Sequence, residues 1–244
     1  MSTTGPDPSG TTGGLPDDGR VNDGVVVLYR FDEGSGTTVH DVSGVAPAID
    51  LDAPDSAALN WAGDGLELTA DTIVESGGAA TKLTEAIRTS EEFTVEAWVA
   101  PANLTQTGPA RIVTLSIDAS NRNFTLGQSE GDYVLRIRTD SPDNLNGTNP
   151  AFVVTGVVTT APTHIVGTRE TNGAVQIYIN AAPQTASNPG HLGDFSNWAD
   201  DFEFALGDEL GPDERFWQGE YYLVAVYDRA LTQDEVEQNF LAGP

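Results

Sequence analysis

The chain has 244 residues, enough to bury a sizeable core, and carries 37 acidic against 11 basic side chains for a net charge of −26. A surface that negative repels nucleic acid and anionic membrane, which excludes both as partners. There is no cysteine, hence no disulfide, thiolate metal site or thiol nucleophile, and no apolar run approaches the ~18 residues of a membrane helix.

Of the first 23 residues, 18 are Gly, Pro, Ser, Thr or Asp, and none of the stretch has the apolar centre of a signal peptide. Residues 1–23 are therefore read as a flexible linker that joins the domain at 24–244 to a longer exported chain. The alternative is a disordered N-terminus proper. "VVVLYRF" (25–31) is apolar on both parities, as a strand covered on both faces should be. A polar, Gly-rich loop, "DEGSGTTVHDVSG" (32–44), follows. Ile49 and Leu51 then alternate with Asp50 and Asp52, and Asp64-Gly65 marks a turn between two strand-like pieces. "TKLTEAI" (81–87) predicts a short helical turn with Leu83 and Ile87 on one side.

"FTVEAWVAP" (93–101) alternates cleanly, with Phe93, Val95, Ala97 and Val99 on one face and Thr94, Glu96 and Trp98 on the other. "RIVTLSI", "NFTLGQ" and "DYVLRIR" predict a meander with turns at Ser120-Asn121 and Gly131-Asp132. "HIVGTRETNGAVQIYIN" reads as a hairpin, because Asn172-Gly173 tolerates the positive φ of a tight turn. "DFEFALG" and "GEYYLVAVYD" (219–228) supply two further strands, and "DELGPDE" (208–214) between them reads as a charged turn. A helix closes the chain: Thr232 caps it, Glu235 completes a capping box, Leu231 staples onto Val236, and Gly243 stops it. Its apolar stripe, Val236 and Phe240, predicts a lid over an open edge of a two-sheet sandwich.

"VVLYRFDEGSGTTVHDVSG", "FTVEAWVAP", "GAVQIYIN" and "WQGEYYLVAVYDRALTQDEVEQNF" occur in the order seen in laminin G-like domains, and over residues 25–242 the chain resembles that family. The resemblance implies membership of the concanavalin A-like lectin/glucanase superfamily. It implies an all-β jelly roll of two stacked antiparallel sheets, and a non-catalytic binding or adhesion role in exported multidomain proteins, often with calcium. This chain has Tyr222-Leu223 where relatives commonly carry Asp-Glu, and Thr163-His164 where they commonly carry Trp-His.

Glucanases of the superfamily carry a Glu-x-Asp-x-Glu run that sets nucleophile and acid on one strand face, and this chain has none. The nearest pairs, Asp50/Asp52 and Asp201/Glu203, read as solvated strand faces. Lyases of the same fold resemble sites built from Arg, Gln, His and Tyr. Arg136 and Arg138 share a strand face here, but "QIYIN" lacks the histidine, and His40, His164 and His191 are scattered. Loop 32–44 offers Asp41, Asp32 and Glu33 as a candidate Ca²⁺ site, with Asp41 foremost; a solvent-facing acidic loop is the alternative. For a glycan, the candidate ligand-binding residues are Trp198 and Trp217 as aromatic platforms, with Asp194 and Asn197 as hydrogen-bonding partners; packing is the alternative role for both rings. Trp61 and Trp98 read as core.

The leading expectation is a non-catalytic carbohydrate-binding or adhesion module, extracellular or at the cell surface, whose partner is a carbohydrate or cell-surface glycan. A structural spacer or protein-interaction domain is the first rival, and a glycan-active enzyme the second. The acid excess with Lys82 as single lysine suits a salty habitat or a GC-rich genome.

Overall fold

The computed structural model describes residues 18–63, 65–188 and 192–244. In chain order the first elements are β1 (Val25–Tyr29), β2 (Thr38–Val39), β3 (Leu51–Asp52), β4 (Leu59–Ala62), β5 (Gly65–Leu68), β6 (Val74–Ala79) and α1 (Thr81–Ser90). Next come β7 (Phe93–Pro101), β8 (Ala110–Asp118), β9 (Asn121–Ser129), β10 (Asp132–Ile137), β11 (Phe152–Val154) and β12 (Thr163–Arg169). The chain closes with β13 (Val175–Ile179), β14 (Ala182–Gln184), β15 (Glu203–Leu206), β16 (Gly219–Tyr227) and α2 (Gln233–Ala242).

These strands form two antiparallel sheets of eight. The first runs β14-β13-β12-β7-β16-β5-β4, with β1 also on β16; the second runs β11-β10-β9-β8-β15-β6-β3-β2. The expected sandwich is therefore present. Its core lies between the sheets, where Phe93, Val95, Ala97 and Val99 of β7 meet side chains such as Phe124 and Leu126 of β9 and Leu135 of β10. The Phe93 and Phe124 rings approach to 4.7 Å. Each large apolar side chain buried this way contributes roughly 1.5–3 kcal/mol, so the alternation of β7 sets the register of the whole stack.

The outer face of the first sheet is buried as well. Thr94, Glu96 and Trp98 of β7 are buried on that face, and Trp98 joins a second apolar cluster with Leu28, Val166, Leu223, Ala225, Leu231 and, from α2, Val236. The capping box is present as expected: Thr232 accepts from the Glu235 N–H and Glu235 from the Thr232 N–H. The helix differs in place from the expected edge lid. It lies across the sheet face, with Phe240 stacked on Trp98 at 5.6 Å, because the apolar stripe matches the outward face of β7 and β16.

Under α2 sits a closed polar knot. Glu96, fully buried, accepts from Arg20, from Asn239 Nδ2 at 2.9 Å and from Tyr227 Oη at 3.1 Å, and it meets His164 Nε2 at 2.7 Å. Burial pushes its carboxyl up, but the Arg20 charge and the His164 contact outweigh this and hold it at about 2. Arg20 and Val21 are thus part of the fold, and the linker expected over 1–23 is corrected for residues 18–23; residues 1–17 lie outside the described residues. Arg20 has a buried carboxylate to pair with, which the composition of the segment did not reveal.

Three local expectations are refined. The helical turn at 81–87 is the ten-residue α1, whose Leu83 and Ile87 enter the core and which ends at Glu91, φ 58°. In the β12–β13 hairpin Gly173 alone takes positive φ, at 87°. Asp64 and His191 lie outside the described residues, but β4 and β5 do pair, with Ala62 opposite Gly65.

Candidate functional site

The aromatic platforms expected for a sugar are not available. Trp198 is 2% exposed and packs against Phe93, Phe124 and Phe195, while its Nε1 donates to the Arg138 carbonyl at 2.7 Å. Trp217 is 1% exposed, contacts Tyr221 and donates to Gln128 Oε1 at 2.9 Å. Each ring leaves its loop to fill the core, so neither keeps a face for a ligand. Asp194 and Asn197 brace loops: the Asp194 side chain accepts from the Ser196 N–H, and Asn197 Nδ2 donates to the Thr139 carbonyl and to Asp143.

The calcium loop also differs from expectation. The Asp41 carboxylate is buried and accepts from the N–H groups of Leu28, Ser43 and Ile49. Its Oδ2 pairs with Lys82 Nζ at 2.7 Å, and that ammonium also donates to the Val45 carbonyl at 2.7 Å. The lysine charge sits where a cation would need that oxygen, so Asp41 does not fit as a calcium ligand. Asp32 is exposed, and Glu33 accepts from the His40 N–H at 2.8 Å. Among the described residues no three His, Asp or Glu side chains converge on a point that could hold a metal.

The cluster of chemistry-bearing side chains lies instead on the outer face of the second sheet. On β8 the residues Ile112, Val113 and Leu115 enter the core, which turns Arg111, Thr114 and Ser116 outward. Across the ladder Thr114 pairs with Thr125, Thr125 with Arg136, and Ser116 with Arg122. Register therefore places Arg122 and Arg136 on the same outer face, on the two strands following β8. The segment between β15 and β16 folds over this face and adds Asp213 and Arg215. Together with Ser120 and Asn146 these residues line a polar cleft of about 190 Å³.

Four of the chain's 11 basic residues thus meet at one cleft. Arg111 and Arg122 are each 1% exposed and form its floor. Glu209 lies buried beside them and accepts from Arg111 Nε at 2.6 Å, from Ser116 Oγ at 2.5 Å and from the Leu210 N–H at 3.1 Å. Its second approach, to Arg122 Nη1, is longer at 3.8 Å. The stretch expected to be a charged turn is therefore a buried anchor at Asp208 and Glu209, because the arginines beneath need a counter-charge. Asp208 also accepts from the Arg215 N–H at 2.5 Å, which fixes the cleft wall.

One carboxylate does not neutralise the floor. Arg122 donates to the Ala119 carbonyl and to Thr125 Oγ1, yet its Nε is buried without a partner. Burial, and then the charge of Arg111, lower Arg122 to about 9, leaving it charged at neutral pH. Arg136 makes one long contact, to the Asn146 carbonyl at 3.5 Å, and Arg215 donates to the Glu214 carbonyl at 2.7 Å; among the described residues neither meets a carboxylate. Such an arrangement offers donors of the geometry that planar or tetrahedral oxyanions match. Arg138, grouped with Arg136 by the sequence, lies past the end of β10 and pairs with Asp143 at 3.0 Å. Arg111, Arg122, Arg215 and Glu209 escaped the sequence reading; the signal open to it was the crowding of scarce basic residues into β8–β10.

The two stacked antiparallel sheets of eight strands are those of a lectin-like β-domain. The chain belongs to the laminin G-like branch of the concanavalin A-like lectin/glucanases superfamily, whose family model matches residues 75–237. No curated protein matches the sequence. The chain is similar in structure to Trypanosoma rangeli sialidase in complex with sialic acid, with TM-score 0.64 and 15% identity, over 90% of this chain and 33% of the sialidase. It is also similar to the binding domain of botulinum neurotoxin serotype D/C, with TM-score 0.62 and 12% identity, over 91% of this chain and 52% of that domain. The same toxin domain in complex with rat synaptotagmin II gives TM-score 0.59 at 12% identity. The chain spans about a third of the sialidase and half of the toxin domain, and at these identities the likeness is one of fold.

Proposed function

We propose that the domain is a non-catalytic carbohydrate-binding module of a longer secreted or cell-surface protein, and that the cleft of Arg111, Arg122, Arg136 and Arg215 is its ligand surface. The observation that carries this reading is the convergence of four guanidinium groups on one polar cleft in a chain of net charge −26. Fixed donors on sheet strands suit a hydroxyl-rich ring, whereas an apolar side chain of a protein partner finds little to pack against there. Glu209 is held by three donors and serves as a counter-ion, and Asp213 is the carboxylate among the described residues lining the cleft, which supports binding over acid/base chemistry.

An array of neutral and acidic glycans tests this, read with wild type, Arg136→Ala and the distant control Arg88→Ala. Binding that is lost in Arg136→Ala and kept in Arg88→Ala supports the reading. Silence across the array transfers the domain to the spacer or protein-interaction class, and turnover of a bound glycan makes it an enzyme.

A further inference from the structure

We propose that the arginine cleft selects its ligand by one compact oxyanion, so that the module takes a singly charged acidic sugar end-on and not a polyanionic chain. This rests on the preceding assignment of the cleft as the ligand surface and adds the charge and valence of what fills it.

The pairing of the basic residues makes the argument. Outside the cleft six of the seven are held by acids: Arg20 by Glu96, Arg30 by Asp18, Lys82 by Asp41, Arg88 by Asp200, Arg138 by Asp143 and Arg229 by Glu235. The seventh, Arg169, is held by the carbonyls of Glu91 and Gly193 and lies 4.5 Å over the Phe195 ring. In a chain with 37 acidic residues, a surface arginine finds a carboxylate easily. Arg136 and Arg215 do not, and Arg122 keeps a buried donor idle at the same cleft. Four guanidinium groups line the cleft with Asp213 as its lining acid, while Glu209 and Asp118 act from behind on Arg111 and Arg122, so positive charge still exceeds negative there. A buried donor without an acceptor is a cost that an incoming oxyanion removes.

Size and surroundings set the valence. At about 190 Å³ the cleft is smaller than the roughly 300–1,000 Å³ of sites for larger ligands, so it admits one charged group with part of its ring. The chain's net charge of −26 acts against each further negative charge that a longer polyanion would bring.

Isothermal titration with sodium glucuronate, glucose, sodium methyl sulfate and a heparin-derived decasaccharide tests the proposal. The expected result is binding of glucuronate or methyl sulfate, with no heat from glucose at the same concentration. Affinity should fall at least tenfold in Arg136→Ala and in the loop variant Arg215→Ala, both checked for native fold by near-ultraviolet circular dichroism. Arg136→Lys should restore it only in part, since an ammonium lacks the two-pronged fork. The stronger of the two anions identifies carboxylate or sulfate ester as the natural group. Glucose binding as tightly as glucuronate at this cleft overturns selection by charge while leaving the carbohydrate reading intact. Decasaccharide binding more tightly than either small anion overturns the single-charge claim. Anion binding at the cleft with a silent glycan array overturns the acidic sugar as ligand, and the carbohydrate reading with it, leaving an anion site alone.

Discussion

At Asp41 three backbone N–H donors and one ammonium occupy a single buried carboxylate. Lys82 reaches it from α1 and ties the loop after β1 to the helix, so an ammonium already occupies this carboxylate. Removing one partner of a buried pair leaves the other charge stranded, so Lys82→Ala should cost about 3 kcal/mol in urea unfolding. EDTA should leave the wild-type melting temperature where it is. A fall of several degrees on chelation would show that a metal, not the lysine, holds this loop. Trp198 and Trp217 carry a related lesson. Both sit outside strands in the sequence, which suggests exposure, yet both rings turn inward because the sandwich offers apolar space beneath the loops.

Among elements, α2 was the most legible. Thr232 and Glu235 stand at the spacing of a capping box, Val236 and Phe240 give one stripe, and Gly243 provides the positive φ of 83° at the C-cap. Thr232→Ala should lower stability by about 1 kcal/mol, measured by denaturant unfolding; no change would mean the cap is redundant. What remained illegible was the surface it covers, because the outward face of β7 reads as polar at Glu96 until its four partners are assembled from distant segments. The helix α1 outruns its expected span of 81–87 for a different reason. Its last turn, Arg88 to Ser90, contributes no buried apolar side chain to extend the pattern. The strand β7 was read in full, since period-two alternation survives burial on both faces.

For the molecule as a whole, the Glu96 knot predicts an acid limit. Its carboxyl is depressed from 4.5 to about 2, so its contribution is complete above about pH 4.5 and is lost as pH falls through about 2. Glu235, held at about 2 by its hydrogen bond from Arg229, titrates in the same window. Melting temperature should therefore drop between pH 4.5 and 2; a flat profile there would contradict the knot. Glu96→Gln should cost about 3 kcal/mol at neutral pH, because Arg20 stays buried without its counter-charge.

The fold was legible because alternation, turns and caps are local patterns. The cleft was not, because Arg111, Arg122, Arg136 and Arg215 come from three neighbouring strands and a distant loop with no fixed spacing. The claim that ligand meets the outer face of the second sheet is tested most directly by backbone amide chemical-shift mapping during glucuronate titration. The account predicts perturbations clustered at Arg111, Ser120, Arg122, Arg136, Asn146 and Arg215. Shifts gathered instead on the 192–198 loop, or on the calcium-loop candidates Asp32, Glu33 and Asp41, would contradict it.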